Sequence, residues 1–229
     1  MPERLQKYLS RSTDLSRRQA EQAIAGGQVK LNGKLVTVLG TKVNSQKDIV
    51  YLNNRQVTPP GQFRYLALNK PVDYISTRAK FPSEKTVYQL IPGSSRLKIA
   101  GRLDKKSQGL MILTDDGDLI QRLTHPSFKH QKEYEIETTR PISENQIGQL
   151  KRGIRLDEGL AKADQLKVSG NKKIFLVIHQ GWKRQIRRMF EQINHNIVYL
   201  KRVRIGSYRL GNLPTGHYTE ISRKEIIND

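Results

Sequence analysis

The sequence contains no cysteine among its 229 residues. This absence excludes disulfide bonds, metal sites built from thiolates, and cysteine nucleophiles. The five histidines are scattered and lack the spacing of zinc ligands, so the sequence predicts no metal centre.

Long apolar runs are also missing. No stretch has the length needed to span a bilayer, and no apolar segment follows the start of the sequence. An oligomerisation repeat is absent as well. We therefore expect a monomeric, soluble protein of the cytoplasm.

Acidic residues are scarce relative to basic ones. The sequence has 21 Asp and Glu against 41 Lys and Arg, which gives a formal net charge of +20. Such an excess indicates a polyanionic partner, and nucleic acid is the most common one. The hydrophobic content of 36% still permits a packed core, so the chain is not a disordered basic tail.

Two short helices are predicted at the beginning of the chain. Leu5, Tyr8 and Leu9 have helical spacing. Ser16 followed by Gln19 is a capping-box pattern that opens the second helix. Alternating apolar residues around an Asn-Gly hairpin signal then predict a small sheet.

A segment rich in turn-forming residues, 54–61, is predicted to be a linker. It separates a small first domain, 1–53, from a larger second domain, 62–229.

Basic residues are frequent in the first domain. The candidates for RNA contact there are Arg4, Lys7, Arg11, Arg17, Arg18 and Lys30. Arg17 and Arg18 stand at a predicted helix N-terminus, where the macrodipole disfavours cations, and a bound phosphate would relieve that conflict. A solvated basic face is the alternative interpretation.

The larger domain is organised around an apolar run, 110–113, which predicts a fully buried strand ended by an Asp-Gly turn. Just before it, a polar loop carries Asp104 among Arg102, Lys105 and Lys106. A rigid strand that presents one carboxylate in a basic loop can hold a reactive group in place. An Asp in such a loop can also be a turn or cap residue, so both interpretations stay open.

Alternation in residues 132–137 predicts a half-buried strand with Tyr134 on its inward face. The ring of Tyr134 is either a core aromatic or a surface on which a flat base stacks. A second strand is predicted at 174–178.

The segment after that second strand predicts a helix with one apolar stripe and with Arg184, Arg187 and Arg188 together on another face. These arginines are either solvated, or placed to bind phosphate or to pair with Asp104.

Residues 101–117 contain the string Gly-Arg-Leu-Asp-x-x-Ser-x-Gly-Leu, followed by Leu-Thr-x-Asp-Gly. This string closely resembles the signature of the RsuA/RluB-type ribosomal RNA pseudouridine synthases. Residues 3–50 resemble a small RNA-binding module also found in a ribosomal small-subunit protein and in tyrosyl-tRNA synthetases. The resemblance implies an α+β fold, with a helix-helix-sheet RNA-binding domain and a catalytic domain whose mixed, mainly antiparallel central sheet is flanked by helices.

The resemblance also implies roles for individual residues. The catalytic carboxylate of the family falls on Asp104, its base-contacting tyrosine on Tyr134, and the cation that pairs with the carboxylate on Arg187. Arg102 would fill the stack vacated by a flipped base. The remaining predicted RNA contacts are Lys105, Lys106, Arg184 and Arg188. Trp182 departs from the family pattern, in which smaller or polar residues are usual, and we expect it to pack rather than to react.

The implied reaction isomerises a uridine of ribosomal RNA to pseudouridine. It needs neither redox chemistry nor group transfer, so no cofactor is expected, and the absence of cofactor fingerprints agrees with this. Large-subunit RNA is the preferred substrate and small-subunit RNA the alternative. Whether the carboxylate attacks the base, attacks the sugar or abstracts a sugar proton stays open.

Two other functions are weighed against this one. The basic first domain alone would suit a non-catalytic RNA-binding protein of ribosome assembly. A glycosidase normally uses two carboxylates, but Asp115 and Asp116 have the pattern of a turn that closes the buried strand.

Overall fold

The computed structural model of the protein describes residues 2–59, 61–79 and 81–227. The chain divides into two compact units. The first comprises the residues up to 64 together with 95–97 and 115–117, and the second comprises the rest of the chain. Within the described ranges, no helix combines the length and the apolar character needed to cross a membrane.

The described residues of the first unit form two helices and six short strands. In chain order these are β1 (Glu3–Arg4), α1 (Leu5–Ser12), α2 (Arg17–Ala25), β2 (Val29–Leu31), β3 (Lys34–Leu35), β4 (Lys42–Val43), β5 (Val50–Leu52) and β6 (Arg55–Val57). Strands β3, β2, β5 and β6 form an antiparallel sheet in that order, and β1 pairs with β4. Leu5, Leu9 and Ile24 are fully buried between the helices and the strands, which confirms the two predicted amphipathic helices.

The start of α2 has the predicted capping box. The Ser16 side chain accepts a hydrogen bond from the Gln19 backbone N–H, and the Gln19 side chain accepts one from the Ser16 N–H. Two of the unpaired N–H groups at this helix end are satisfied in this way.

The predicted linker is partly a strand. Residues 55–57 form β6, which pairs with β5, because Asn53 and Asn54 have φ values of 49° and 61° and make a tight hairpin turn. Asparagine tolerates this left-handed conformation better than most residues, so the Asn53-Asn54 pair is a hairpin signal rather than the start of a linker. Pro60, also in the predicted linker, lies outside the described residues.

The second unit contains most of the regular structure. Its elements are β7 (Tyr65–Lys70), β8 (Tyr74–Ile75), β9 (Lys85–Thr86), β10 (Lys98–Ile99), β11 (Gln108–Thr114), α3 (Gly117–Thr124), β12 (Lys132–Thr138), α4 (Glu144–Arg152), β13 (Ile154–Leu156), β14 (Gly159–Ala161), β15 (Gln165–Ser169), β16 (Lys173–Ile178), α5 (Gln185–Gln192), β17 (Ile197–Ile205), β18 (Tyr208–Arg209), β19 (Tyr218–Glu220) and α6 (Arg223–Ile226).

Most of these strands form one sheet, ordered β15-β16-β12-β17-β11-β7-β19, with β10 on β11 and β18 on β17. Only the β11–β17 pair in it is parallel within the described residues. The expected mixed, mainly antiparallel sheet is therefore confirmed.

Strand β11 contains the apolar run and lies between β17 and β7. Its residues Leu110 and Ile112 are fully buried and belong to the same cluster as Leu119 and Leu123 of α3. The predicted buried strand is confirmed, and its packing on both sides makes the loop that precedes it a rigidly placed one.

Gly109 allows β11 and β17 to approach closely. Its φ is +102°, and a Cβ there would lie 2.3 Å from the carbonyl oxygen of Arg202 and 2.7 Å from the backbone nitrogen of that residue. Only glycine fits at this point, so the glycine in the Ser-x-Gly-Leu string has a steric reason.

A β-bulge between β12 and β17 directs Arg202 and Arg204 of β17 toward different residues of β12. Glu133 pairs with Arg204 but Tyr134 pairs with Arg202, so Val203 is an extra residue in β17. Arg204 joins Glu133, to which its Nε donates at 2.9 Å. Arg202 is directed instead to the side of Tyr134, and both residues line the same cavity.

Candidate active site

A cavity of about 500 Å³ opens in the second unit. Its walls come from the 101–107 loop, from the segments 75–77 and 181–187, and from β12 and β17. Asp104, Tyr134 and Arg187, predicted from distant parts of the sequence, all line it. The volume lies within the range of pockets that enclose small ligands.

Asp104 lies in the turn between β10 and β11, where the Ser107 N–H donates to its carbonyl oxygen at 3.0 Å. Its side chain is half-buried. Within the described ranges, no hydrogen bond or ion pair engages the carboxylate. The positive charges of Lys70 and Arg187 act on it through space. The carboxylate is thus held by its backbone and left available on the cavity side.

Ser76 fixes the backbone on the N-terminal side of Asp104. Its hydroxyl donates to the Leu103 carbonyl at 2.6 Å and accepts from the Leu103 N–H at 3.3 Å. The Ser76 side chain therefore fixes both the position and the orientation of the Leu103 backbone, which immediately precedes Asp104.

Lys70 fixes the other side of the loop. Its ammonium is fully buried at the end of β7 and donates to the carbonyls of Ser107 at 2.6 Å, Pro71 at 2.9 Å and Lys105 at 3.3 Å. Burial lowers the pKa of Lys70 to about 8, although the negative charges of Asp73 and Asp104 act in the opposite direction.

Arg202 connects the loop to the central strand. The guanidinium is 1% exposed; Nε donates to the Leu110 carbonyl at 2.8 Å and Nη2 to the Gly101 carbonyl at 2.9 Å. A rigid planar fork with several donors is suited to holding two carbonyls in fixed positions. The backbone that presents Arg102 and Asp104 is therefore fastened to β11.

Tyr134 and Lys132 project from β12 into the cavity. Tyr134 is 8% exposed, so its ring is part of the cavity wall and not of the outer surface of the protein. Lys132 donates to the carbonyls of His130 at 3.2 Å and His179 at 3.3 Å. Burial lowers the pKa of Lys132 to about 8, and the charge of Arg202 acts in the same direction.

The three arginines predicted to share one helix face diverge. Arg184 precedes α5 in a left-handed conformation (φ 50°) and donates to Glu191 at 3.2 Å. Arg188 donates to the two carboxylate oxygens of Glu158 at 2.7 and 2.9 Å. The predicted shared face is wrong, because α5 begins one residue after Arg184 and because Arg188 binds Glu158, about 30 residues away in the chain, whereas Arg187 binds backbone carbonyls.

Arg187 is the member of this group that reaches the loop of Asp104. Its Nη2 donates to the Lys106 carbonyl at 2.9 Å, and its Nη1 donates to the Ile197 carbonyl at 3.4 Å. Burial lowers the pKa of Arg187, whereas the charge of Asp104 acts to raise it. In the described part of the chain, Arg187 makes no direct ion pair with Asp104, so the predicted pairing exists here only as attraction through space.

The other predicted contacts of the loop differ in availability. Arg102 is exposed and lines the cavity. Lys105 pairs with Glu84 at 2.7 Å and Lys106 with Asp73 at 2.8 Å. Exposed pairs of this kind are weak, so they do not prevent either lysine from exchanging its carboxylate for a phosphate.

Trp182 packs as expected. A Cβ on Gly159 would lie 3.5 Å from the edge of the indole ring, so the ring covers the β13–β14 hairpin while it also lines the cavity. Its backbone N–H donates to the Gln185 side chain at 3.2 Å.

The basic residues of the first unit also differ in availability. Arg17 and Arg18 are exposed in the first turn of α2, which contains no acidic residue, and Arg4 is exposed just before α1. Arg11 donates to Glu3 at 2.9 Å and Lys30 to Asn54 at 3.0 Å. Lys7 lies within α1 and is half-buried.

Sequence reasoning missed Lys70, Ser76, Lys132 and Arg202. Each is a polar residue at the end of a strand or within one, and such a position is the only signal that the sequence offers. No group of three or more His, Asp or Glu side chains in the described residues is arranged to hold a metal ion.

A rise in pH is expected to stabilise the protein relative to a Lys70→Met variant. The pKa of Lys70 is about 8 in the folded chain and about 10.4 in an unfolded one. Between these values the unfolded state binds more protons, so the free energy of unfolding increases with pH. Urea denaturation should show the parent gaining about 1.5 kcal/mol over the variant between pH 8 and pH 9.5. A difference that stays constant or shrinks over this window contradicts the assignment.

Comparison with known proteins identifies both parts of the chain. Residues 64–192 match the RNA pseudouridylate synthase family, and residues 3–50 match the S4 domain. A Bacillus subtilis protein named ribosomal large subunit pseudouridine synthase B is 38% identical over 233 residues, which cover 98% of this chain and 94% of that protein. An uncharacterised RNA pseudouridine synthase of Aquifex aeolicus is 36% identical over 232 residues, which cover 99% of this chain and 93% of that protein. A crystal structure of a pseudouridylate synthase matches with a TM-score of 0.71 at 31% identity and covers 97% of both chains.

Proposed function

Because this chain belongs to the RNA pseudouridylate synthase family and is therefore a pseudouridine synthase, we propose that it isomerises a uridine of large-subunit ribosomal RNA, with Asp104 as the catalytic carboxylate. The resemblance to the RsuA/RluB-type synthases is confirmed by the relatives named above. The proposal for the site depends on one observation, which is that Asp104, Tyr134 and Arg187 line a single cavity.

The reaction exchanges one glycosidic bond for another. The bond between C1′ of the ribose and N1 of uracil breaks, the base rotates, and a bond forms between C1′ and C5. The proton leaves C5 and N1 gains one, so the nucleotide keeps its composition. A carboxylate can serve as nucleophile or base in such a step, and Asp104 supports this role because none of the described side chains binds its oxygens.

The cavity also offers a place for the base. Tyr134 provides a nearly buried ring on one wall, and an aromatic face is a suitable surface for stacking a uracil. A base cannot reach such a wall from inside a helix, so the nucleotide has to flip out. Exposed Arg102 at the rim would take the vacated place in the stack through its planar guanidinium.

Two observations support large-subunit RNA as the substrate, the names of the relatives and the charge of the chain. The Bacillus subtilis relative and one from Vibrio cholerae, which is 34% identical over 237 residues, are both named as large-subunit synthases. The net charge of +20 suits a large folded polyanion. We propose that the S4 domain contributes binding to structured RNA through the exposed arginines of α2.

Substituting Arg17 and Arg18 together by alanine is expected to weaken binding to a large-subunit transcript and to reduce its salt dependence. Each lost phosphate contact should lower the magnitude of the slope of log K against log salt by nearly one. The slope of the double variant should therefore be smaller than that of the parent by roughly 1.5 to 2. Both side chains are exposed, so the melting temperature should not change. Filter binding across a salt series measures this.

The matched control replaces Lys34 and Lys47, which are exposed in the same unit but lie outside α1 and α2. If this control changes the slope as much as the α2 variant does, the binding reflects total charge and the assignment to α2 fails.

The activity itself is tested by tritium release from transcripts labelled at C5 of uridine, using large-subunit and small-subunit ribosomal RNA in parallel. Stoichiometric release from the large-subunit transcript alone supports the proposal. Release from the small-subunit transcript alone overturns the assignment of large-subunit RNA as the substrate. Binding of either transcript without tritium release favours a non-catalytic RNA-binding protein of ribosome assembly.

A further inference from the structure

We propose that Phe128 stacks on an unpaired RNA base next to the uridine that enters the cavity. Phe128 lies in residues 124–132, a segment that we call the rim loop. The inference rests on the proposed function, because it requires RNA with a flipped nucleotide at the cavity, and it adds a contact that neither the signature string nor the cavity wall contains.

The rim loop begins and ends at the cavity. Thr124 and Lys132 both line it, so Phe128 is four residues from either wall and its Cα lies within about 14 Å of each. Thr124 also lies beside Gly101, since a Cβ on that glycine would be 3.9 Å from the Thr124 Cγ2. The rim loop therefore begins on the side of the cavity where Arg102 is exposed.

The rim loop is fixed by its own hydrogen bonds. The His125 N–H donates to the Gln121 carbonyl at 2.8 Å, the Phe128 N–H to the His125 carbonyl at 3.2 Å, and the Lys129 N–H to the Pro126 carbonyl at 3.1 Å. The His125 ring also lies 2.8 Å from the Ser127 hydroxyl through its Nδ1. Because the turn is already ordered, a ligand that contacts Phe128 does not have to order it.

The ring of Phe128 is largely open to solvent. Phe128 is 46% exposed and contacts the ring of His125 in an edge-on arrangement, with centroids 6.2 Å apart. An edge-on contact leaves room for a base against the ring face. A single exposed aromatic is common on protein surfaces, so the inference depends on where the rim loop begins and ends and on the charge around this ring.

The charge around Phe128 selects the kind of ligand. Residues 119–132 contain neither Asp nor Glu, and their cations outside the cavity wall are Lys129, which is exposed and follows Phe128 directly, and half-buried Arg122. An aromatic ring among cations is the combination that binds single-stranded nucleic acid, in which the ring stacks and the cations neutralise phosphates. A flipped uridine leaves its neighbours without one stacking partner, so an unpaired or partly unstacked base is available there.

The test compares Phe128→Ala, Phe128→Leu and Phe128→Trp on an in vitro large-subunit transcript. Loss of one base stack should raise the Kd and KM of Phe128→Ala by about 5- to 150-fold, with kcat changed less than twofold. Phe128→Leu should be as impaired, because it retains apolar size without a π face, and Phe128→Trp should stay within twofold of the parent.

The salt dependence separates stacking from charge. Phe128→Ala should keep the parent slope of log K against log salt, whereas Lys129→Ala should lower it by nearly one. The control Tyr218→Ala removes another exposed aromatic, on the edge strand β19, and should leave Kd and KM within twofold of the parent.

Parent-like binding of Phe128→Ala or Phe128→Leu overturns the inference, in the second case because a generic apolar contact is then sufficient. The proposed function fails separately, if the parent releases no tritium. The Kd measurements still decide on Phe128 in that event, because they do not depend on turnover.

Discussion

Replacing Asp104 with asparagine is expected to lower pseudouridine formation by at least about a thousandfold while leaving RNA binding and stability unchanged. The amide has the same shape but can act neither as a nucleophile nor as a base at neutral pH. The Asp104 carboxylate makes no hydrogen bond or ion pair in the described part of the chain, so its removal breaks no direct contact and costs the fold only the attraction through space to Lys70 and Arg187. Tritium release, filter binding and thermal melting measure the three quantities.

The matched control is Asp157→Asn, which removes the same charge from a fully exposed side chain that pairs only weakly with Arg188, at 3.4 Å. This control should retain parent activity. An Asp104→Asn protein with activity near that of the parent would remove the carboxylate from the mechanism. An unfolded one would show instead that the residue has a structural role.

Replacing Arg202 with alanine is expected to destabilise the protein by about 3 kcal/mol and to reduce activity strongly. The substitution orphans the buried carbonyls of Gly101 and Leu110, each at a cost of roughly 1 to 3 kcal/mol, and leaves a cavity. The loop that presents Arg102 and Asp104 would then lose its attachment to β11. Urea denaturation gives the stability and tritium release the activity.

Two further variants serve as comparisons for Arg202→Ala. Arg202→Lys can reach one of the two carbonyls but not both, so it should fall between the parent and the alanine variant in both measurements. Arg209→Ala removes an arginine whose side chain is 66% exposed and should change the free energy of unfolding by less than about 0.5 kcal/mol. If Arg202→Ala is as stable as Arg209→Ala, the hydrogen bonds of the guanidinium do not hold the loop.

Local patterns in the sequence predicted the elements that carry the site. The apolar run at 110–113 became β11, alternation at 132–137 became β12, and the helix start with the Ser16-x-x-Gln19 pattern has its capping box. These signals depend on periodicity and on contacts within one turn, which a short window of sequence contains.

The support of the loop could not be predicted, because it depends on partners far apart in the chain. Arg202 is about 100 residues from the carbonyls of Gly101 and Arg102, and nothing near it indicates that it is buried. Its orientation follows from a bulge. The extra residue in β17 shifts the inward face by one position, so Arg202 and Ile205 are both buried, although strict alternation would place them on opposite faces. The separation of Arg187 from Arg188 likewise depends on Glu158, which lies in the turn of a different hairpin.

The most direct test of the account maps pseudouridines in ribosomal RNA from a strain that lacks this protein. One large-subunit uridine should be unmodified, the parent gene should restore it, and the Asp104→Asn gene should not. An unchanged set of large-subunit pseudouridines in the deletion strain, or restoration by Asp104→Asn, would contradict the claim that this carboxylate isomerises a uridine there.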